Sequence, residues 1–310
     1  MKRISIGLII MAGVAGTACG NAGNQSKETA TVQQQKQRGF QLPEVPVMLD
    51  TPEARATFVC EHYWDHFDFA DTAYIHLPDI TEQAIVNFMD LMARVPQELA
   101  EKAIKILYQK TAPYSMMSWH FWETMSRYWK DDNSPMKNED MFILLCSSVE
   151  SVVEVEDVMK QRASFVRNLA QKNRLGQLAN DFVYTMKSGK QGRMYGLKAE
   201  YTLLFFYNPD CHTCVEIKNA MKNSLKLKEL VDSGKMKLLT FYPDEDVALW
   251  KERLSELSDS WVNGYDKGQV VTHENLYDIS SIPSFYLLDK DKKVLLKNVD
   301  WVQVMHFFEK

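Results

Sequence analysis

The residues Tyr201-Thr202-Leu203-Leu204-Phe205-Phe206-Tyr207 form a continuous apolar and aromatic run. Asn208-Pro209-Asp210 stops it, and Cys211-His212-Thr213-Cys214 follows at once. A short run of this kind reads as a central strand buried on both faces. Val215 to about Leu230 has helical spacing, so the cysteine pair stands at a strand-to-helix junction. That order constrains the carboxyl half more than any other feature of the chain. Two cysteines three apart at a helix start can close a small disulfide ring. The first is the more exposed and sits at the positive end of the helix dipole, which stabilises its thiolate. Cys211 is therefore expected to attack a partner disulfide, and Cys214 to resolve the mixed disulfide. Neither step needs a metal or an organic cofactor.

The rest of the carboxyl half fits a mixed α/β unit. Phe182, Tyr184 and Met186 alternate with other residues before a Ser188-Gly189-Lys190 turn, and Met194 to Leu197 is predicted to return as the second strand. Met236 to Tyr242 reads as another apolar strand, and Asp244 to Leu257 as a helix with Trp250 and Leu254 on one face. A polar stretch leads to Ile282-Pro283, where the proline marks a turn or the start of a strand. Val294-Leu295-Leu296 follows a Lys290–Lys292 turn, and Asp300-Trp301-Val302-Gln303 has the form of a capping box for a last helix.

Residues from about 178 to 310 resemble a thioredoxin-like domain, nearest the membrane-tethered thiol-disulfide oxidoreductases of the TlpA/ResA type. The resemblance rests on Cys211 and Cys214, on Ile282-Pro283 and on the Tyr286-Leu287-Leu288-Asp289 strand. It implies a cis Pro283 beside the cysteine pair, where it helps dock the substrate chain. It also implies reduction or isomerisation of protein disulfides, with a disulfide-bearing client protein and an upstream thiol electron donor as partners. Three positions depart from the family pattern. Asp210 stands where a tryptophan precedes the first cysteine, Phe205 where thioredoxin has its buried acid, and Glu216 one residue from a glutamate of related reductases. Asp210 disfavours the Cys211 thiolate and a protonated His212 favours it. His212 and Glu216 are thus candidate tuners of the redox pair, and an exposed His212 without consequence is the other reading.

From about Thr51 to Asn173 the spacing is helical. Asp79-Ile80-Thr81-Glu82 has the form of a capping box ahead of Ala84, Ile85, Phe88, Met89 and Met92. Val95-Pro96 separates that helix from one through Leu99, Ala103, Ile104 and Leu107. Met116 to Trp129, Met141 to Val153 and Val158 to Ala170 are further helices. This half is similar to an uncharacterised helical domain that precedes thioredoxin-like domains in Bacteroidetes-type lipoproteins. His62 and His66 have a metal-ligand spacing, but an aromatic packing face over Phe58 to Phe69 explains them better. The Trp119–Trp129 cluster reads as core before it reads as a stacking surface. Cys60 and Cys146 are either bridged or buried as free thiols.

Lys2 and Arg3 precede an uncharged run, Ile4 to Ala18, which is shorter than the about 20 residues needed to span a bilayer. This resembles a lipoprotein signal with Cys19 as the lipidated residue, although Gly16 stands where the lipobox usually has leucine. Residues 19–46 are polar and read as a flexible tether. The expected organisation is a signal over 1–18, the tether over 19–46, a helical domain over 47–176 and a thioredoxin-like domain over 177–310. The fold class is α+β, an all-α domain followed by a mixed sheet flanked by helices. The expected place is the periplasm, with a lipid anchor in a membrane of a Gram-negative envelope.

A net charge of -5 leaves no global basic field, so nucleic acid is not an expected partner. Five cysteines are too few to build a scaffold of disulfides. The function read from these features is a tethered thiol-disulfide oxidoreductase. The alternative is a redox-inactive thioredoxin-like binding or scaffold lipoprotein. Zinc on Cys211 and Cys214 lacks a second cysteine pair, and copper with His273 or His306 as third ligand expects a wider cysteine spacing.

Overall fold

A computed structural model describes residues 38–131 and 134–309. The expected signal, Cys19 and most of the expected tether lie outside the described residues. In the amino-terminal half the helical periods become six α-helices: α1 (Pro52–His62), α2 (Thr81–Met92), α3 (Gln97–Thr111), α4 (Ser115–Lys130), α5 (Glu139–Ser151) and α6 (Asp157–Ala170). Their apolar stripes meet in one core that includes Phe88, Leu107, Phe121, Trp129 and Leu145. Trp122 and Trp129 are both buried there. Cys60 and Cys146 are buried free thiols in the same core. Burial pushes the Cys60 thiol up to about 11 and the Cys146 thiol up to about 12. Gly39 and Phe40, within the stretch expected to be a tether, pack onto this bundle: the Gly39 N–H donates to the Tyr74 hydroxyl, and the Phe40 ring lies 5.1 Å from that of Tyr63.

One local expectation fails. α2 begins at Thr81 without a side-chain cap. Glu82 instead accepts from Arg127 at 2.8 Å and from the Tyr128 hydroxyl at 2.6 Å, so a distant helix takes the carboxylate that a capping box needs. The Asp300 box does form, with Gln303 reaching back, and starts the last helix.

The carboxyl half is a seven-stranded sheet. Its strands are β1 (Val183–Thr185), β2 (Gln191–Arg193), β3 (Tyr201–Phe206), β4 (Met236–Tyr242), β5 (Val262–Tyr265), β6 (Ser284–Leu288) and β7 (Val294–Val299). Their spatial order is β2-β1-β5-β4-β3-β6-β7. β3 runs parallel to β4 and antiparallel to β6. Parallel neighbours need a crossover, which α7 (His212–Asn223) and α8 (Leu225–Asp232) supply between β3 and β4. Leu203 and Phe205 face one core with Met221 and Trp301, while Leu204 and Phe206 face the other with Phe182 and Tyr277. That two-sided burial is why the strand reads as an unbroken apolar run.

α9 (Val247–Arg253), α10 (Val270–His273) and α11 (Trp301–Phe307) complete the half. The second strand differs from expectation. The return pairs Gln191–Arg193 with β1, and Met194 to Gly196 is a 3-10 turn that buries Met194. β5 lies within the stretch read as polar; its four residues pair with β4 and carry too little apolar signal to mark a strand. Gly39 to Lys310 forms one compact unit holding both the helical core and the sheet. Among the described residues no helix is long and apolar enough to cross a membrane.

Candidate functional site

The carboxyl end of β3 delivers the chain to the start of α7. Asn208 turns it there: its side-chain oxygen accepts the Asp210 N–H at 2.9 Å, and its amide donates to Asp244 at 2.6 Å. Cys211 is the N-cap of α7, and its Sγ accepts the Cys214 N–H at 3.3 Å. The sulfur therefore satisfies one of the orphan donors of the helix start and stands at its positive end. Opposite it, the Ile282 carbonyl lies 3.9 Å from Cys211 Sγ. The Ile282-Pro283 peptide is cis and leads directly into β6. Sequence neighbours of β3 and β6 thus converge because the two strands pair, with Phe206 opposite Ser284.

The two thiols differ in environment. Cys211 is half-buried, whereas Cys214 is only 1% exposed. Burial first, then the hydrogen bond to Cys211, pushes the Cys214 thiol up to about 12; the nearby Asp244 carboxylate acts in the same direction. Both cysteines are free thiols in this structure. His212 and Glu216 lie on the solvent side of α7, 87% and 65% exposed, with His212 Nδ1 3.7 Å from Glu216 Oε1. An exposed pair of this kind contributes little. The Asp244 carboxylate, held by the Asn208 amide, is one of the groups that raise the Cys214 thiol. It follows β4 directly, and neighbours at the carboxyl ends of adjacent parallel strands are the available signal for it.

His62 pairs with Asp65 at 2.7 Å, and its ring packs at a tilt 4.3 Å from that of Phe58. Among the described residues no group of three or more His, Cys, Asp or Glu side chains is placed to hold a metal ion.

One turn beyond Cys214, Lys218 is 5% exposed and its ammonium pairs with Glu256. Arg253 adds a second bond to that carboxylate at 3.2 Å. The Lys218 hydrogen bond holds the Glu256 carboxyl below its ordinary value. Glu256→Ala is expected to cost about 2 kcal/mol and Lys218→Met under about 1, because alanine leaves a buried ammonium without its partner while methionine leaves a carboxylate that water can reach. A lowered folded value means that the contribution of Glu256 is complete above the unfolded carboxyl range near 4.5 and is lost as the pH falls through the folded value. Urea unfolding of both variants at neutral pH, and of the native chain from about pH 5 to 3, measures this; equal costs for the two variants would contradict it.

Comparison with known proteins adds to this geometry. Residues 18–173 match a family described as a domain of unknown function, DUF5106. A thioredoxin-like protein from Bacteroides caccae is 39% identical, with 88% of this chain and 98% of that one covered and a TM-score of 0.68. The C-terminal domain of an uncharacterized protein from Bacteroides fragilis is 43% identical over 44% of this chain and 99% of its own length, with a TM-score of 0.44. The thioredoxin domain of a thiol-disulfide oxidoreductase from Bacteroides vulgatus is 18% identical over 44% of this chain and 96% of its own, with a TM-score of 0.39. A comparison with curated proteins returned no match.

Proposed function

This chain belongs to the DUF5106 family, with a thioredoxin-like half behind the segment that defines the family, and on that footing we propose that it is a membrane-tethered periplasmic thiol-disulfide oxidoreductase. One observation carries the reading. A half-buried sulfur caps a helix start and faces the Ile282 carbonyl beside Pro283, while its partner thiol is buried beneath it. That arrangement suits a two-step exchange. The Cys211 thiolate attacks one sulfur of a client disulfide, that S–S bond breaks, and the other client sulfur leaves as a thiolate. Cys214 then attacks Cys211 Sγ, closing the Cys211–Cys214 ring and releasing the second client thiol. The client gains two electrons and the enzyme loses them, and an upstream thiol donor restores the dithiol. Pro283 borders the place where the client chain docks, and His212 and Glu216 act at most as outer modulators. Cys19 is the proposed lipid attachment point, which holds the exchange site at a membrane facing the periplasm.

Removing only the resolving sulfur tests the reading in the cell. With Cys214→Ser the first step proceeds and the second does not, so a mixed disulfide through Cys211 accumulates on a protein client. It is recovered on non-reducing gels and released by reductant. A Cys214→Ser chain that captures no more protein than the Cys211→Ser/Cys214→Ser double variant contradicts the proposal.

A further inference from the structure

The segment Glu274–Pro283 is held from both halves: the Tyr286 hydroxyl of β6 accepts the Asp278 N–H at 3.1 Å and donates to the Asp278 carbonyl at 3.2 Å, and the other bonds come from the end of the helical half and the residues just after it. Lys172, just past α6, donates to the carbonyls of Glu274 and Asn275 at 2.7 and 2.9 Å. The Asn173 and Asn180 amides both donate to the Leu276 carbonyl, at 2.7 and 2.8 Å. The Tyr277 hydroxyl donates to the Asn180 carbonyl at 2.5 Å. Asp278 follows. Its buried carboxylate accepts the Ser280 hydroxyl at 2.6 Å and stands 3.3 Å from Lys130 Nζ, at the end of α4. This pair lines a cavity of about 160 Å³ between the helical core and β7. Lys137 also lines this cavity, and the ammonium of Lys297, near Asp278 as well, is engaged by Glu139 at 2.5 Å and by the Ala170 and Lys172 carbonyls. Four residues beyond Asp278 comes Ile282, whose carbonyl faces Cys211.

A buried carboxylate needs a partner, and losing one favours turning the group out to water. Turning Asp278 out displaces the segment that carries Ile282. We propose that Lys130 is a positioning residue of the redox site: by holding Asp278, the helical half sets where the Ile282 carbonyl stands against Cys211 Sγ. The inference rests on the exchange activity proposed above and states what the helical half contributes to it. It gives a reason for joining the two halves in one compact unit.

Lys130→Met and Lys130→Arg in the full chain test this, read by iodoacetamide alkylation of Cys211 against pH and by the rate of exchange with a protein disulfide. A carbonyl oxygen against the sulfur disfavours its negative charge and covers it. Lys130→Met is therefore expected to alkylate about three- to tenfold faster, with its midpoint moved to lower pH, and to exchange with a protein client slower by a similar factor. Lys130→Arg keeps both properties. A Lys130→Met chain with the native alkylation rate and midpoint overturns the proposal.

Should Lys130→Met fail to fold, the Asp278→Asn background decides. The neutral amide no longer needs the ammonium, so adding Lys130→Met to it changes neither readout, and a further change in either overturns the proposal. The alkylation readout is independent of any client. A native chain that exchanges no disulfide therefore removes the proposed function, while the alkylation comparison still decides the role of Lys130.

Discussion

Cys211→Ser is expected to reduce protein-disulfide exchange to the uncatalysed background, a loss of at least about 10³-fold, while leaving the fold intact. A serine hydroxyl does not displace sulfur from a disulfide at neutral pH. Its oxygen can still accept the Cys214 N–H that Cys211 Sγ accepts at 3.3 Å, so the helix start keeps its cap. Loss of activity is then loss of the nucleophile. Exchange assayed with the native chain, Cys211→Ser and Cys214→Ser separates the steps, and Cys211→Ser activity above background would remove Cys211 from the role of nucleophile.

The same geometry fixes a pH signature for the second step. Burial raises the Cys214 thiol above its ordinary value, and that cause persists when Cys211 is tied up in a mixed disulfide, so the reactive thiolate is a small minority at neutral pH. Its population rises about tenfold per pH unit for as long as the thiol form dominates. Breakdown of a preformed Cys211 mixed disulfide is expected to accelerate over the same range. A rate flat with pH would show that a nearby base takes the Cys214 proton during attack.

How much of this was legible depended on whether the signal was local. The β3 run, the cysteine pair, Pro283 and the Asp300 cap are each written within a few residues, and each is where the pattern puts it. The Asp79–Glu82 box is equally local, yet Arg127 and Tyr128 compete for the same carboxylate from another helix. β5 is too short to show alternation and is a strand because β4 and β1 lie on either side of it. The environment of Cys214 was illegible for a similar reason. Asp244 lies on the loop after another strand, and the Lys130–Asp278 pair joins the end of one half to the middle of the other. Contacts between residues far apart in the chain leave no periodicity to read.

The largest loss of stability in the helical half is expected at Trp64→Ala. Trp64 is 2% exposed and sits at the centre of an aromatic cluster, with ring centroids 5.3 Å from Phe40, 5.5 Å from Phe88 and 5.0 Å from Phe121. Alanine removes that contact area and leaves a cavity that rings held on three separate segments cannot close, which costs about 3–5 kcal/mol. Trp64→Phe should cost far less, under about 2 kcal/mol. The indole Nε1 has no hydrogen-bond partner and is buried, so losing it relieves a desolvation penalty that offsets part of the lost volume. Denaturant unfolding of the full chain, followed by far-ultraviolet circular dichroism and by Cys211 alkylation, measures both. Because the helical core and the sheet cores are separate clusters, the Trp64→Ala loss falls first on the helices. If Lys130 transmits their order to Cys211, alkylation of Trp64→Ala speeds up at the denaturant concentration where the helices melt, before the sheet unfolds. Alkylation that changes only with the sheet would separate the helical half from the redox site. A Trp64→Ala cost below about 1 kcal/mol would contradict the packing that surrounds the indole.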